Sequence, residues 1–391
     1  MQSLNRRRFM QAGAWMTAMA VTSGGSRSSR AQTQEGNVLN PSASIVRFHG
    51  DGLSLTPSET AALLEKLTAS TDFEPDSYSR GGVVEALETR IAKLLGKERA
   101  VFMPTGTLAN HLAVRTLCAT RGGRVIAQAD SHMVNDAGDC AQTLSGLNLI
   151  PLAAGKSCFT ARDVEEILAR TKSSKVTTRV GVLSIESPVR RLDNVAVPLA
   201  ELKKIVAPAR EAGVGLHLDG ARLPLYSAHM GTDPAAVAAL FDTVYVSMYK
   251  CFSAPSGAVL AGPASLLDDL YHARRMFGGG MPSVWPFAAV ALHNVDEYPV
   301  SSAQTLAVAE DLFARLRADG RCAVERVPSG TNVFHIRLMK GDPADWRQKL
   351  LQHGVELPKP NLETGVFTCK MNPTWVRSTA DELERTLLDS L

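Results

Sequence analysis

Along the chain, short runs of apolar residues alternate with longer stretches in which apolar positions recur every three or four residues. The runs cover residues 100–103, 124–127, 180–185, 214–218, 243–248 and 258–261. None shows the polar alternation of a half-exposed strand, so each reads as a strand buried on both faces. Helical spacing falls between them, over residues 108–117, 161–171, 199–211 and 234–240. This order predicts an α/β fold with a mostly parallel sheet covered by helices. Two helices come first. One runs over residues 56–69, with Thr56 as N-cap and Pro57 in the first turn, and the other over residues 83–95, stopped by Gly96.

The pattern changes from about Ser301. A helix over 301–318, a strand over 333–337, another helix, a strand over 365–370 and a terminal helix over 379–388 predict a smaller C-terminal α+β domain. The expected division is a leader (1–31), an N-terminal segment (32–70), a large domain (71–300) and the small domain (301–391). No low-complexity linker separates the last two, so they are expected to share an interface.

The leader follows from its own pattern. Asn5-Arg6-Arg7-Arg8-Phe9-Met10 is similar to a twin-arginine motif, and residues 12–21 form a weakly apolar stretch too short to span a bilayer. Ser29-Arg30-Ala31 offers a cleavage site. A twin-arginine route suits a protein that folds around a cofactor before export. The expected location is therefore the periplasm, with no membrane attachment after cleavage. If these residues are only a basic tail, the expectation is the cytoplasm.

Composition narrows the function classes. The 391 residues are 45% apolar and 21% charged, ordinary for a globular protein with two cores, and the net charge of +3 provides no basic face for nucleic acid. The six cysteines contain no C-x-x-C pair, so neither a zinc site nor a disulfide framework is implied, and no metal is expected.

Two segments carry the chemistry. His217-Leu218-Asp219-Gly220-Ala221-Arg222 ends one apolar run, and Ser247-Met248-Tyr249-Lys250 ends the next. In a parallel sheet both would open at the carboxyl edge, where ligands bind. An aspartate there can keep a pyridine nitrogen protonated, and a lysine can form an imine with an aldehyde, which together point to pyridoxal 5'-phosphate. Either residue alone would read as a turn cap or a solvated side chain. Pro104-Thr105-Gly106-Thr107 opens a helix whose first N–H groups, with the two hydroxyls, suit a phosphate, although Thr105 could simply cap the helix. Ser247 is a further phosphate candidate or an ordinary strand serine. His132, in Asp130-Ser131-His132 after another strand, can stack on the ring or act as acid or base. Gly278-Gly279-Gly280-Met281 allows a tight turn.

The ordered set Asp76-x-Tyr78, Pro104-Thr-Gly-Thr, Asp130-Ser-His132, Ile185-Glu186, His217-Leu-Asp219-Gly-Ala-Arg222, Lys250 and Gly278-Gly-Gly-Met281 resembles the threonine aldolase branch of the β-eliminating lyases, from about Arg47 to Trp285. The resemblance implies fold type I of the pyridoxal-phosphate enzymes and a homodimer or homotetramer. It implies that Asp219 meets the pyridine nitrogen, Arg222 binds the substrate carboxylate and His132 stacks on the ring. It further implies that residues 104–107 hold phosphate and that Tyr78 reaches the cavity of a neighbouring subunit. The implied reaction is cleavage of the Cα–Cβ bond of a β-hydroxy-α-amino acid to glycine and an aldehyde. Departures fall on the substrate side. Gly50 replaces a serine, Ser187-Pro188-Val189 replaces N-T-H, and Met281-Pro282-Ser283 replaces M-R-Q. The second carboxylate-binding cation would be Lys370 or Arg377. With Val189 in place of a histidine, the β-hydroxyl proton falls to His132 or a water it positions. Val189 is also expected to wall the pocket and favour bulky, aromatic β-substituents. The alternatives are β-elimination or another amino-acid reaction on the same scaffold, and a non-catalytic protein that retains the cofactor.

Overall fold

The computed structural model describes residues 45–391 apart from residue 174. The twin-arginine leader and residues 32–44 of the expected N-terminal segment lie outside the described residues. In chain order the first eight strands are β1 (Val46–Arg47), β2 (Arg99–Met103), β3 (Arg124–Gln128), β4 (Asn148–Leu152), β5 (Val180–Glu186), β6 (Gly215–Asp219), β7 (Thr243–Ser247) and β8 (Ala258–Gly262). Seven of them form one sheet in the order β2-β8-β7-β6-β5-β3-β4. The pairings β3–β4, β3–β5, β5–β6 and β6–β7 are parallel, and only β8 runs against its neighbours. Every residue of β5 through β8 is buried, as a sheet covered on both faces requires. The mostly parallel α/β fold read from the apolar runs is the fold observed. The unforeseen strand is β4. It holds Pro151 and is largely half-exposed, and it closes one edge of the sheet, where a missing N–H leaves no ladder bond unmade.

The C-terminal part differs from expectation in two ways. The helix expected over 301–318 is the second half of one 35-residue helix, Trp285–Asp319, which runs through Pro299 and across the expected boundary at 300. Proline removes one hydrogen bond from a helix, and packing on both sides of it overrides that loss. Before Pro299 the helix buries Ala288, Ala291, Val295 and Tyr298 in the large core, and beyond it Ala309, Leu312, Phe313 and Leu316 in the small one. The small layer is an antiparallel sheet of β9 (Cys322–Arg326), β10 (Val333–Leu338) and β12 (Phe367–Lys370), with β9 an addition to the sequence reading.

The second difference is that β1 pairs, parallel, with β11 (Val355–Glu356), so the described chain begins inside its C-terminal layer. Phe48 stacks at 4.5 Å on Trp375 in a cluster with Phe313 and Phe334. The Asn372 amide donates to the carbonyls of Arg47 (2.9 Å) and His49 (2.8 Å), and the Trp375 indole donates to Arg47 at 3.0 Å. This anchoring delivers residues 50–53 to the carboxyl edge of the large sheet. A Cβ on Gly52 would come within 2.3 Å of the Lys250 carbonyl, so only glycine lets the segment lie against the lysine loop.

Asp76 of the Asp-x-Tyr motif acts structurally. Oδ1 accepts from the N–H groups of Val284 (2.8 Å) and Trp285 (2.7 Å), capping the long helix, and Oδ2 accepts from Ser79 at 2.8 Å. Asp76→Ala leaves three backbone donors without this partner. It is expected to destabilise the protein by about 1–3 kcal/mol, read as a lower urea midpoint or Tm. An unchanged midpoint would show that the cap contributes nothing.

Candidate active site

A cavity of about 990 Å³ opens at the carboxyl edge of the parallel strands, between the ends of β5 and β6, the loop after β7, and the helix Pro57–Thr68. Asp219 and Lys250 both line it. Asp219, the last residue of β6, is buried. Its Oδ2 accepts from the Asn110 amide at 2.6 Å, and Oδ1 from the backbone N–H of Ala221 at 3.1 Å. Asn110 is in turn fixed by His217, whose Nε2 lies 2.8 Å from the amide oxygen and whose Nδ1 lies 2.9 Å from Thr243 Oγ1. Burial pushes the His217 imidazole down to about 4, so it is neutral and bridges two polar partners. Asn110, absent from the sequence reading, is buried on a helix face among apolar neighbours, and only the fold brings it to Asp219. The Lys250 ammonium is lowered below its ordinary range by burial, then by Arg222. Among the described residues it makes no hydrogen bond or ion pair, and it lies 5.2 Å from the Tyr249 ring centroid.

Residues 104–107 line the cavity beside them. Thr105 is the N-cap of the helix Gly106–Cys118, its Oγ1 accepting from Leu108 N–H at 3.2 Å. The earlier N–H groups of that turn have no intrahelical partner and face the anion-favouring end of the dipole. A Cβ on Gly106 would come within 2.0 Å of the Tyr245 hydroxyl, so glycine is required here. Ser247 is fully buried, its hydroxyl makes no hydrogen bond of good geometry, and it is not among the residues lining the cavity. Tyr245, two residues earlier on the same strand, is buried but contributes to the cavity lining.

His132 lines the cavity with Nε2 3.3 Å from Thr107 Oγ1. Its backbone N–H donates to Glu186 Oε2 at 2.5 Å, and that of Arg190 donates to Oε1 at 2.9 Å. Glu186 thus ties the histidine turn to the turn after β5. Burial, then the charge of its strand neighbour Asp219, pushes its carboxyl up to about 7. The expectation that Val189 walls the pocket is corrected here. Val189 is fully buried, its N–H donating to Val195 at 2.9 Å, and the residue of that turn lining the cavity is Arg190. The apolar wall comes instead from Pro57, Ala61 and Leu64 of the first helix.

Arg222 lines the cavity and its Nε donates to Asp51 Oδ2 at 2.9 Å. Lys370 Nζ reaches Asp51 Oδ1, also at 2.9 Å, and Asn332 Nδ2 reaches it at 3.3 Å. Despite burial, Arg222 and Lys370 hold the Asp51 carboxyl below the usual carboxylate range. Of the two C-terminal cations, Lys370 therefore joins the site's charge cluster. Arg377 donates to the Ile45 carbonyl at 2.9 Å and does not line the cavity. Tyr78 does not line this chain's cavity either. It is 46% exposed, with its N–H bonded to the Pro282 carbonyl and the Arg275 guanidinium over its ring. Gly279 leaves room for Leu108 and Arg274 rather than for a ligand.

The donor set fits pyridoxal phosphate: a lysine amine without a protein partner, a buried carboxylate held rigidly by an amide, and a helix N-terminus flanked by threonines. The fold and these residues define a pyridoxal-phosphate enzyme of fold type I. The Beta-eliminating lyase model matches residues 54–338, and the chain belongs to that family. A relative in Arabidopsis thaliana, named probable low-specificity L-threonine aldolase 2, is 26% identical over 72% of this chain and 79% of its own. Alanine racemase TOXG of Cochliobolus carbonum is 31% identical over 54% of each chain. A crystal structure from Listeria monocytogenes described as an L-allo-threonine aldolase superposes with a TM-score of 0.73 at 27% identity, covering 90% of this chain and 99% of that one.

Glu186 gives a pH prediction. Its ordinary value is 4.5 and its folded value about 7, so between those limits the folded state holds a proton that the unfolded state has released. Stability contributed by this group is therefore present at low pH and falls as pH rises through about 4.5–7. In cofactor-free protein, Glu186→Gln is expected to flatten the decline of Tm over that window. A slope identical to wild type would show that Glu186 does not titrate there.

Proposed function

We propose that this enzyme cleaves the Cα–Cβ bond of a β-hydroxy-α-amino acid to glycine and an aldehyde. The observation that carries this is the convergence of Asp219, Lys250, His132 and Arg222 on one cavity at the carboxyl edge of the sheet. Pyridoxal phosphate, when bound, supplies an electron sink for the pair left at Cα. Lys250, with its proton affinity lowered by burial, holds the cofactor aldehyde. Asp219, fixed by Asn110, is placed for the ring nitrogen, and Thr105, Gly106 and Thr107 for the phosphate. Arg222, aligned by Asp51 beside Lys370, binds the substrate carboxylate. His132, poised against Thr107, covers the ring and takes the β-hydroxyl proton directly or through water.

Reactions that leave Cβ in place can use the same residues, and the relative named alanine racemase belongs to that class. Assaying aldehyde, ammonia and inversion at Cα together separates them, since elimination releases ammonia and racemisation releases neither product. Borohydride is expected to fix the cofactor on Lys250 by mass spectrometry, and Lys250→Ala to give colourless, inactive protein. His132→Ala should lower aldehyde release by about 10²–10⁴-fold while the visible band persists. Ammonia without aldehyde, or an adduct on another lysine, would refute the assignment.

Two further elements belong to this reading. The protein works as a homodimer or homotetramer in which Tyr78 is presented to a neighbour's cavity, supported by its exposure and by its absence from the lining of its own. It is exported to the periplasm by the twin-arginine route, supported by Arg6-Arg7 and the short apolar stretch after them. Residues 1–35 fused to a folded reporter should carry it to the periplasm. Export surviving Arg6→Lys/Arg7→Lys would exclude that route.

A further inference from the structure

The turn after β5 presents a cation, Arg190, to the cavity, and its donors are only partly used. Asp51 is matched by Arg222 and Lys370. Asp219 is placed for the cofactor ring and Lys250 for its aldehyde. Glu186 is held by two backbone N–H groups. Asp136 is shared by two arginines. Arg191 spans both oxygens (Nη2 to Oδ1 2.7 Å, Nε to Oδ2 3.2 Å), and Arg190 adds Nη2 to Oδ2 at 2.5 Å. Arg191 takes up both oxygens of that carboxylate, so Arg190 reaches it through one nitrogen only while lining the cavity wall. Nε and Nη1 of Arg190 donate to no described residue. A planar fork with spare donors, held in place from one side, is suited to a second carboxylate.

Building on the retro-aldol reading, we infer that Arg190 is a specificity-determining residue that binds a carboxylate on the β-substituent, making the substrate a β-hydroxy-α-amino dicarboxylate. The chemistry balances without a further reactant. The β-hydroxyl proton leaves to His132, the C–O bond becomes a carbonyl as the Cα–Cβ bond breaks, and Cα takes a proton. The products are glycine and an oxo acid. The arginine holds the leaving fragment and has no part in the bond change.

The test uses cofactor-loaded enzyme with 3-hydroxyaspartate, threonine and phenylserine as probes. The expected kcat/KM for 3-hydroxyaspartate exceeds that for threonine by about tenfold or more, and Arg190→Gln reduces that ratio by a similar factor. Binding gives a second readout. Visible-absorbance titrations should show tighter Kd for aspartate than for its neutral isostere asparagine, with the preference lost in Arg190→Gln and partly kept in Arg190→Lys. Threonine or phenylserine cleaved as well as 3-hydroxyaspartate, or an aspartate preference unchanged in Arg190→Gln, overturns the inference. Absence of aldehyde from all three probes refutes the retro-aldol reading instead, and the aspartate-to-asparagine ratio still decides the role of Arg190.

Discussion

The buried carboxylate of Asp51 joins the parts of the chain that build the cavity. It belongs to the segment after β1, Arg222 follows β6 of the large sheet, and Lys370 and Asn332 come from the C-terminal layer. A buried carboxylate with one cation typically gains little net stability, because desolvation offsets the attraction. Here two cations and an amide share it, and removing the Asp51 carboxylate would leave the Arg222 guanidinium buried and unmatched, a loss of about 3–5 kcal/mol. The cluster thus fixes register between elements more than it adds stability. It holds Arg222 in one orientation beside the lysine loop, and it closes the cavity with residues that the C-terminal layer carries in.

A second constraint works inside the large sheet. Asp219 has to be both ionisable and immobile, although it lies where the sheet opens. Thr243, His217 and Asn110 form a chain of hydrogen bonds ending on its carboxylate, each step between 2.6 and 2.9 Å. Because the imidazole is neutral, the chain orients without adding a cation that would compete for the carboxylate. Glu186 plays a related part on the neighbouring strand. Its backbone is locked to the Gln128 side chain by two bonds, and its carboxyl gathers the N–H groups of His132 and Arg190. His132 and the arginine at the wall are therefore set by one side chain.

Much of this was legible in the sequence, for identifiable reasons. Strands buried on both faces lose polar alternation, so β3 and β5 to β8 stood out, and the carboxyl ends of β3, β6 and β7 located His132, Asp219 and Lys250. The losses have equally definite causes. Pro151 concealed an edge strand, and Pro299 concealed the continuity of a helix whose two halves pack on different cores. Asn110 could not be distinguished from a helix-surface amide until the fold placed it against Asp219. The union of β1 with β11 joins residues more than three hundred positions apart, and no local pattern encodes it.

The turn after β5 shows where such reading stops. Side-chain direction in a strand follows from period two, but a turn with its own backbone bonds obeys no period, so the expectation fell on Val189 while Arg190 is the residue at the wall. Two bonds decide between them. The Val189 N–H pairs with Val195, which rolls its side chain into the core, and the Arg190 N–H is captured by Glu186, which turns the next side chain outward to the cavity. An apolar residue in the core and a guanidinium at the wall is also the arrangement that desolvation favours, since the reverse would bury the charge. The physical character of the substrate pocket thus depends on one hydrogen bond to a carboxylate that sequence alone marks only as the end of a strand.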